Sequence, residues 1–166
     1  MEAYCQRDYA KCKGEIMTLS IHSDEHFMKQ ALKEAELAFE EGEIPIGAVV
    51  VCENKIIAKD HNRVERLSDA TAHAEMLALT AAQNHLGSKY LKECSLYVTL
   101  EPCSMCAGGL FWTQLGKVVF GALDKERGFT QFNKNIIHPK TELKQGVMAN
   151  ECEVLIKDFF RKIRGN

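Results

Sequence analysis

Two short stretches hold the residue types that could do chemistry: Thr71–Met76, "TAHAEM", and Thr99–Cys106, "TLEPCSMC". In the first, His73 and Glu75 stand two residues apart between alanines at 72 and 74. Residues two apart on a helix do not share a face, so an ion pair along the helix side does not explain them. In the second, Cys103 and Cys106 open a helix just after a strand. Thiols there gain thiolate character from the unpaired N–H groups and the helix dipole. Such thiolates suit either a redox pair or a soft divalent metal, and the spacing alone does not decide between them. A redox pair predicts no histidine nearby, and a structural zinc site predicts four protein ligands.

Joining the two stretches resolves the odd spacing. His73, Cys103 and Cys106 would give one Zn²⁺ three protein ligands, the number of a catalytic site with one position left for water. Glu75, in the first turn of the helix that His73 opens, could then reach that water without ligating the metal and move its protons. Both residues can face a cavity that caps the helix, and the small alanines leave room for a flat substrate. His-x-Glu followed by Pro-Cys-x-x-Cys is the signature of zinc deaminases that act on nucleobases. The competing arrangement is a closed structural site with a fourth ligand from His61 or His85. It leaves Glu75 and Pro102 without a purpose.

These residues need a scaffold to bring them together. The 166 residues suit one domain, and 46% hydrophobic with 27% charged residues is a globular balance. The net charge of −2 excludes a globally basic protein, so any nucleic-acid site must be local. No apolar run reaches the roughly 20 residues of a membrane span, and "MEAYCQRDYAKCKGEI" does not read as a signal peptide. A cytoplasmic protein with no membrane contact is expected. Seven cysteines, an odd number with only 103 and 106 close together, argue for free thiols.

Residues 1–20 show no convincing period and are expected to be a disordered extension, with Met17 a candidate start; residues 21–166 are expected to form one domain. A helix is predicted from Ser23 or Asp24, with apolar residues every three or four positions from Phe27 to Phe39 and a stop at Gly42. Two β-rich runs, 46–52 and 55–58, split at Glu53-Asn54 as a hairpin. Next come a helix from His73 to near Gly87, a buried strand over 94–100, a helix from Cys103 and a strand over 117–122. A long loop with at most a short helix fills 123–140, before a weak strand and a closing helix with Val154, Leu155, Phe159 and Ile163 on one side. Helices alternating with buried strands predict a three-layer α/β/α domain.

Beyond these motifs, "EIPIGAVVV", "HNR", "TAHAE", "LYVTLEPCSMCAG", "VVFGA" and "ECEVLIKDFFR" resemble the bacterial tRNA adenosine deaminase family, from about residue 24 to about 164. Members convert the wobble adenosine of a tRNA anticodon to inosine. The resemblance implies a cytidine-deaminase-like fold with a mixed five-stranded sheet, and a homodimer whose subunits shape each other's sites. It implies one zinc per subunit on His73, Cys103 and Cys106, with Glu75 as proton shuttle. It places Asn62 against the target nucleoside, Ile46, Leu100 and Pro102 in the base pocket, and backbone N–H groups near Ala74 and Cys103 on the base or the attacking water. Phe160 could support an extruded base, and the "RKIR" at 161–164 could face RNA; packing and a solvated helix end are the plain alternatives.

Two segments depart from the family. "FTQFNKN" follows Gly128 where a small-residue stretch is usual, and "KTELKQ" after His138-Pro139 is shorter and lacks an Asn-His-Arg-like segment. Lys125, Arg127, Lys134 and Lys140 could supply a replacement phosphate-binding surface. Three functions follow from these residues. The first is wobble-adenosine deamination on a tRNA anticodon stem-loop, whose unstacked bases can be extruded and gripped. The second is deamination of a free base or nucleoside (guanine, cytosine or cytidine). The third is a catalytically silent zinc-bearing or RNA-binding subunit, which would have no need of Glu75.

Overall fold

Ser23 begins the first helix as expected: its hydroxyl accepts from the His26 N–H at 3.1 Å, and α1 runs Asp24–Glu41. Gly42 ends it in the left-handed conformation. The structure is a computed structural model describing residues 22–165; the expected extension at 1–20 lies outside them. The hairpin follows as β1, Gly47–Cys52, and β2, Lys55–His61, turned by Glu53 and Asn54, both at positive φ. Strand β2 runs three residues past the expected Ala58. Then come α2 (Val64–Leu67), α3 (Ala74–Leu86), β3 (Cys94–Leu100), α4 (Ser104–Trp112) and β4 (Lys117–Ala122). The 123–140 segment contains α5 (Phe129–Phe132) and a 3₁₀ turn, Lys134–Ile136. Strand β5 (Glu142–Gln145) and α6 (Ala149–Arg164) complete the described chain. The four-residue α2 is too short to leave a periodic trace in the sequence.

The five strands form one mixed sheet in the order β2-β1-β3-β4-β5. Strand β1 is antiparallel to β2 and β3, while β4 is parallel to β3 and β5. Alternate residues of β1 feed opposite faces, as a pleat requires. Ala48 and Val50 pack under α3 and α4 with Leu96, Val98, Val118 and Phe120. Val49 and Val51 pack under α1 with Tyr97 and Val119. Helices on both faces make the expected three-layer α/β/α architecture.

Two contacts set the geometry of this frame. A Cβ at Gly47 would come within 2.4 Å of the Ala35 nitrogen and closer still to the Ala31 carbonyl. Only glycine lets α1 lie directly on the start of β1. At the far edge, the Asp24 carboxylate accepts from the Tyr97 hydroxyl at 2.7 Å and from the Lys144 ammonium at 2.6 Å. One side chain of α1 thereby ties β3 to β5, a strand whose own residues are all exposed. The closing helix needs a partial correction: Phe159 faces the core as expected, with Cys152 beside it, but Val154 and Ile163 are 55% and 64% exposed. The apolar residues at 154 and 163 are left facing solvent because α6, packed on β3 and β4, buries only a narrow stripe.

Candidate active site

Ligands in parallel sheets collect beyond the carboxyl ends of the strands. Here the ends of β3 and β4, at Leu100 and Ala122, open onto a cleft of about 990 Å³. Two helices point their N-termini at it. His73 is the N-cap residue of α3 and Cys103 that of α4, both with extended backbone and neither side chain spent on a cap hydrogen bond. Chain that must turn sharply into each helix therefore presents a free metal-binding side chain.

His73 Nδ1 lies 3.5 Å from Cys106 Sγ and 3.7 Å from Cys103 Sγ. A tetrahedral zinc, with bonds of about 2.3 Å to sulfur and 2.0–2.1 Å to nitrogen, would set those atoms roughly 3.6 Å apart. The three atoms thus fit one zinc, and they form the metal-holding group found among the described residues. The histidine also disposes of the redox-pair alternative. Among the described residues no fourth protein ligand joins them. His61 is buried at the end of β2, held between Glu34 and Glu41 at 3.3 and 3.1 Å. His85 sits in the last turn of α3, at the opposite end from His73.

The charge balance of the trio favours a cation. Hydrogen bonding from Cys106 and, against the effect of burial, from His73 draws the Cys103 thiol down to about 4. The same bond to Cys103, with burial, pushes Cys106 up, and Cys103 raises His73. One negative charge is comfortable there and a second is not, until a dication ionises both sulfurs. Glu75 stands beside them, fully buried, and burial pushes its carboxyl up to about 7. Its Oε2 atom is buried with no hydrogen-bond partner. A buried carboxyl with an oxygen left open beside the metal-binding trio is placed where a proton carrier would be useful.

Ile46, Asn62, Leu100 and Phe160 line the same cleft with His73, Glu75 and Cys103. Asn62 directly follows β2, and the Arg63 N–H donates to the Ala72 carbonyl at 3.0 Å, which pulls that strand end against the His73 loop. Ala74 and Pro102, expected at the site, are buried between cleft-lining neighbours, and their side chains do not line the cleft themselves. Of the adjacent phenylalanines, Phe159 is core and Phe160 is part-exposed toward the cleft. Lys125 and Arg127 reach the cleft, whereas Lys140 does not line it. Arg161 pairs with Asp158 at 3.1 Å and Lys162 lies 5.0 Å over the Phe39 ring, so two of the basic residues in "RKIR" already have partners on the protein.

Sequence reasoning missed two buried carboxylates that line the cleft. Glu101 accepts from Asp124 N at 3.1 Å and from Thr130 N and Oγ1 at 2.9 and 2.6 Å. Glu43 accepts from Asn62 Nδ2 at 3.0 Å and from Arg66 N at 2.8 Å. An acid flanked by apolar residues and proline, in "GEIP" and "LEPC", was the available signal.

Residues 21–122 match the cytidine and deoxycytidylate deaminase zinc-binding region. A tRNA-specific adenosine deaminase of Aquifex aeolicus is 48% identical, covering 86% of this chain and 97% of that protein. One from Bacillus subtilis is 44% identical, covering 85% and 91%. A solved structure from work on A-to-I editing by tRNA:A34 deaminases superposes with a TM-score of 0.74 at 37% identity, covering 78% of this chain and 98% of that one. With that zinc-binding region spanning both motifs and near-complete coverage of such relatives, the chain belongs to the tRNA-specific adenosine deaminase family.

Proposed function

We propose that this protein hydrolyses the wobble adenosine, position 34, of a tRNA anticodon to inosine and ammonia, acting as a cytoplasmic homodimer with one zinc in each subunit. The observation that carries this reading is the buried, unpartnered Glu75 Oε2 beside the His73–Cys103–Cys106 triangle, at the base of a cleft large enough for a nucleotide. The activity named for the relatives supports it.

Zinc on His73, Cys103 and Cys106 supplies Lewis acidity that brings the pKa of water towards ~7. Glu75 takes a proton from the attacking water at its carboxylate. The new bond is C6–O and the bond that breaks is C6–N; Glu75 returns the proton to the departing nitrogen, which leaves as ammonia. Ile46 and Leu100 give the purine apolar walls, Asn62 contacts the nucleoside, and backbone N–H groups near Ala74 and Cys103 face the base or the water. Phe160 supports the extruded base at the cleft mouth. Lys125 and Arg127 border the cleft and offer charges to phosphates, while Lys157 on the same border is paired with Glu153 at 2.8 Å. Trp112 and Phe132, 77% and 69% exposed, leave large apolar side chains for a second copy to cover. Among the described residues no helix is long and apolar enough to cross a membrane.

A deamination assay on zinc-loaded protein tests the reading. A short anticodon stem-loop with adenosine at the wobble position is read for inosine, beside free adenosine, guanine, cytosine and cytidine read for ammonia. Inosine in the stem-loop alone is the expected result. Ammonia from a free base with the stem-loop untouched would overturn it in favour of a small-molecule deaminase.

A further inference from the structure

Glu43 is a carboxylate only 2% exposed, and no lysine, arginine or histidine of the described residues lies within ion-pair distance of it. Burying a charge without an ion pair is costly, and only the more distant charge of Arg66 offsets it. Its position is fixed by the end of α1, where its own N–H donates to the Ala38 carbonyl at 2.9 Å. Both carboxylate oxygens are spent on neutral donors: Oε2 on Asn62 Nδ2 and Oε1 on Arg66 N. For stability alone an apolar residue would serve better at such a point. A carboxylate has one property that no neutral side chain there shares: it accepts at both oxygens and donates at neither.

That property acts on Asn62. A carboxamide can rotate by half a turn and exchange its oxygen for its nitrogen. Against Glu43 the rotated form would set oxygen against carboxylate oxygen, so only one orientation survives. The Asn62 backbone is held as well, its N–H donating to the Ile46 carbonyl at 3.0 Å. Glu43, Ile46 and Asn62 all line the cleft that contains Glu75. We infer that Glu43 is a positioning residue, which locks the Asn62 carboxamide so that its oxygen and remaining N–H meet the nucleoside in one fixed order. The inference rests on the proposed deaminase reading, in which Asn62 touches the substrate.

Glu43→Gln is nearly the same size and keeps a hydrogen-bonding head group. It can accept from Arg66 N or from Asn62, but its NH₂ then faces the other donor, and a rotated Asn62 becomes the favourable answer. On the stem-loop substrate the variant should lose about tenfold or more in kcat/KM, the scale of one charge-assisted hydrogen bond. Its zinc content should equal that of the parent. The deciding measurement is a double-mutant cycle with Asn62→Ala. If Glu43 acts through Asn62, Glu43→Gln changes kcat/KM by less than about twofold once the carboxamide is gone. An equal loss in both backgrounds, or parental kcat/KM in Glu43→Gln alone, overturns the inference.

A second measurement needs no folded variant of Glu43 and no activity. In the nitrogen–proton correlation spectrum of the parent, the Asn62 side-chain amide is assigned by its disappearance in Asn62→Ala. One of its two protons should be shifted downfield and exchange slowly with solvent; two fast-exchanging protons at ordinary positions overturn the inference. A parent inactive on the stem-loop would remove the deaminase reading while this resonance still decides the lock itself.

Discussion

Glu101→Gln should loosen one wall of the cleft without touching the metal-binding trio. In the parent, Oε1 accepts both the Thr130 N–H and the Thr130 hydroxyl, and Oε2 accepts the Asp124 N–H. The loop is seated directly on this carboxylate, since a Cβ at Gly128 would collide with it. A glutamine oxygen can keep the Thr130 pair, but its NH₂ then meets the Asp124 N–H, donor against donor. One hydrogen bond to a charged group, worth about 1.5–3 kcal/mol, is lost, and a donor is left unsatisfied. The total is roughly 2–4 kcal/mol. For a domain of this size about 2–4 °C accompanies each kcal/mol, so Tm should fall by roughly 5–15 °C. Phe129 remains fully buried as an anchor, so the segment loosens rather than detaches. Leu123, Asp124, Lys125 and Arg127 border the cleft from this segment, and KM for the stem-loop should rise several-fold while kcat changes little. Thr130→Val, which removes only the hydroxyl, should cost about 1 kcal/mol. Thermal melting and steady-state kinetics read both variants. A Glu101→Gln protein melting within about 1 °C of the parent with unchanged KM would refute the clamp.

Other perturbations separate the remaining contributions. Glu75→Ala should retain zinc, measured by metal content, and lose about 10²–10⁴ in kcat, the usual share of a general acid–base group; near-parental turnover would remove Glu75 as the proton carrier. If phosphates are gripped by Lys125 and Arg127, kcat/KM on the stem-loop should fall linearly in log–log against salt by about 0.7 per phosphate contact, while turnover of a free nucleoside would stay flat. Asp24→Asn tests the tie between α1, β3 and β5. Burial alone would raise the Asp24 carboxyl, but hydrogen bonds from Lys144 and Tyr97 and the charge of Lys117 outweigh it and hold the group below the usual range. A carboxyl lowered on folding contributes its stability fully above the unfolded pKa of about 4 and loses it as pH falls through the folded value. The parent should therefore melt above Asp24→Asn at pH 7, and the two curves should converge at acid pH; a constant gap would deny the tie.

What could be read from the sequence divides along a physical line between local signals and long-range contacts. The caps of α1, the Glu53-Asn54 turn and the bounds of β3 and β4 are set by neighbours a few residues away, and each appears where the sequence places it. The zinc trio was legible for another reason: few chemistries need a histidine, a glutamate two residues on and a Pro-Cys-x-x-Cys in one chain, although 30 residues separate His73 from Cys103. Glu43 and Glu101 were invisible because a carboxylate announces itself through its partners. Glu43 meets Asn62 across 19 residues and Glu101 meets Thr130 across 29, and those partners are N–H groups and one hydroxyl that no pattern of residue types records. The misplaced face of α6 has the same origin. Val154, Phe159 and Ile163 fall on one apolar stripe, but only the packing of α6 on β3 and β4 selects Phe159, with Cys152, for burial and leaves the other two exposed. The residues that make a deaminase chemically are thus encoded by type, whereas those that orient its substrate-facing groups are encoded by the fold, and it is the second set that the substitutions at Glu43 and Glu101 address.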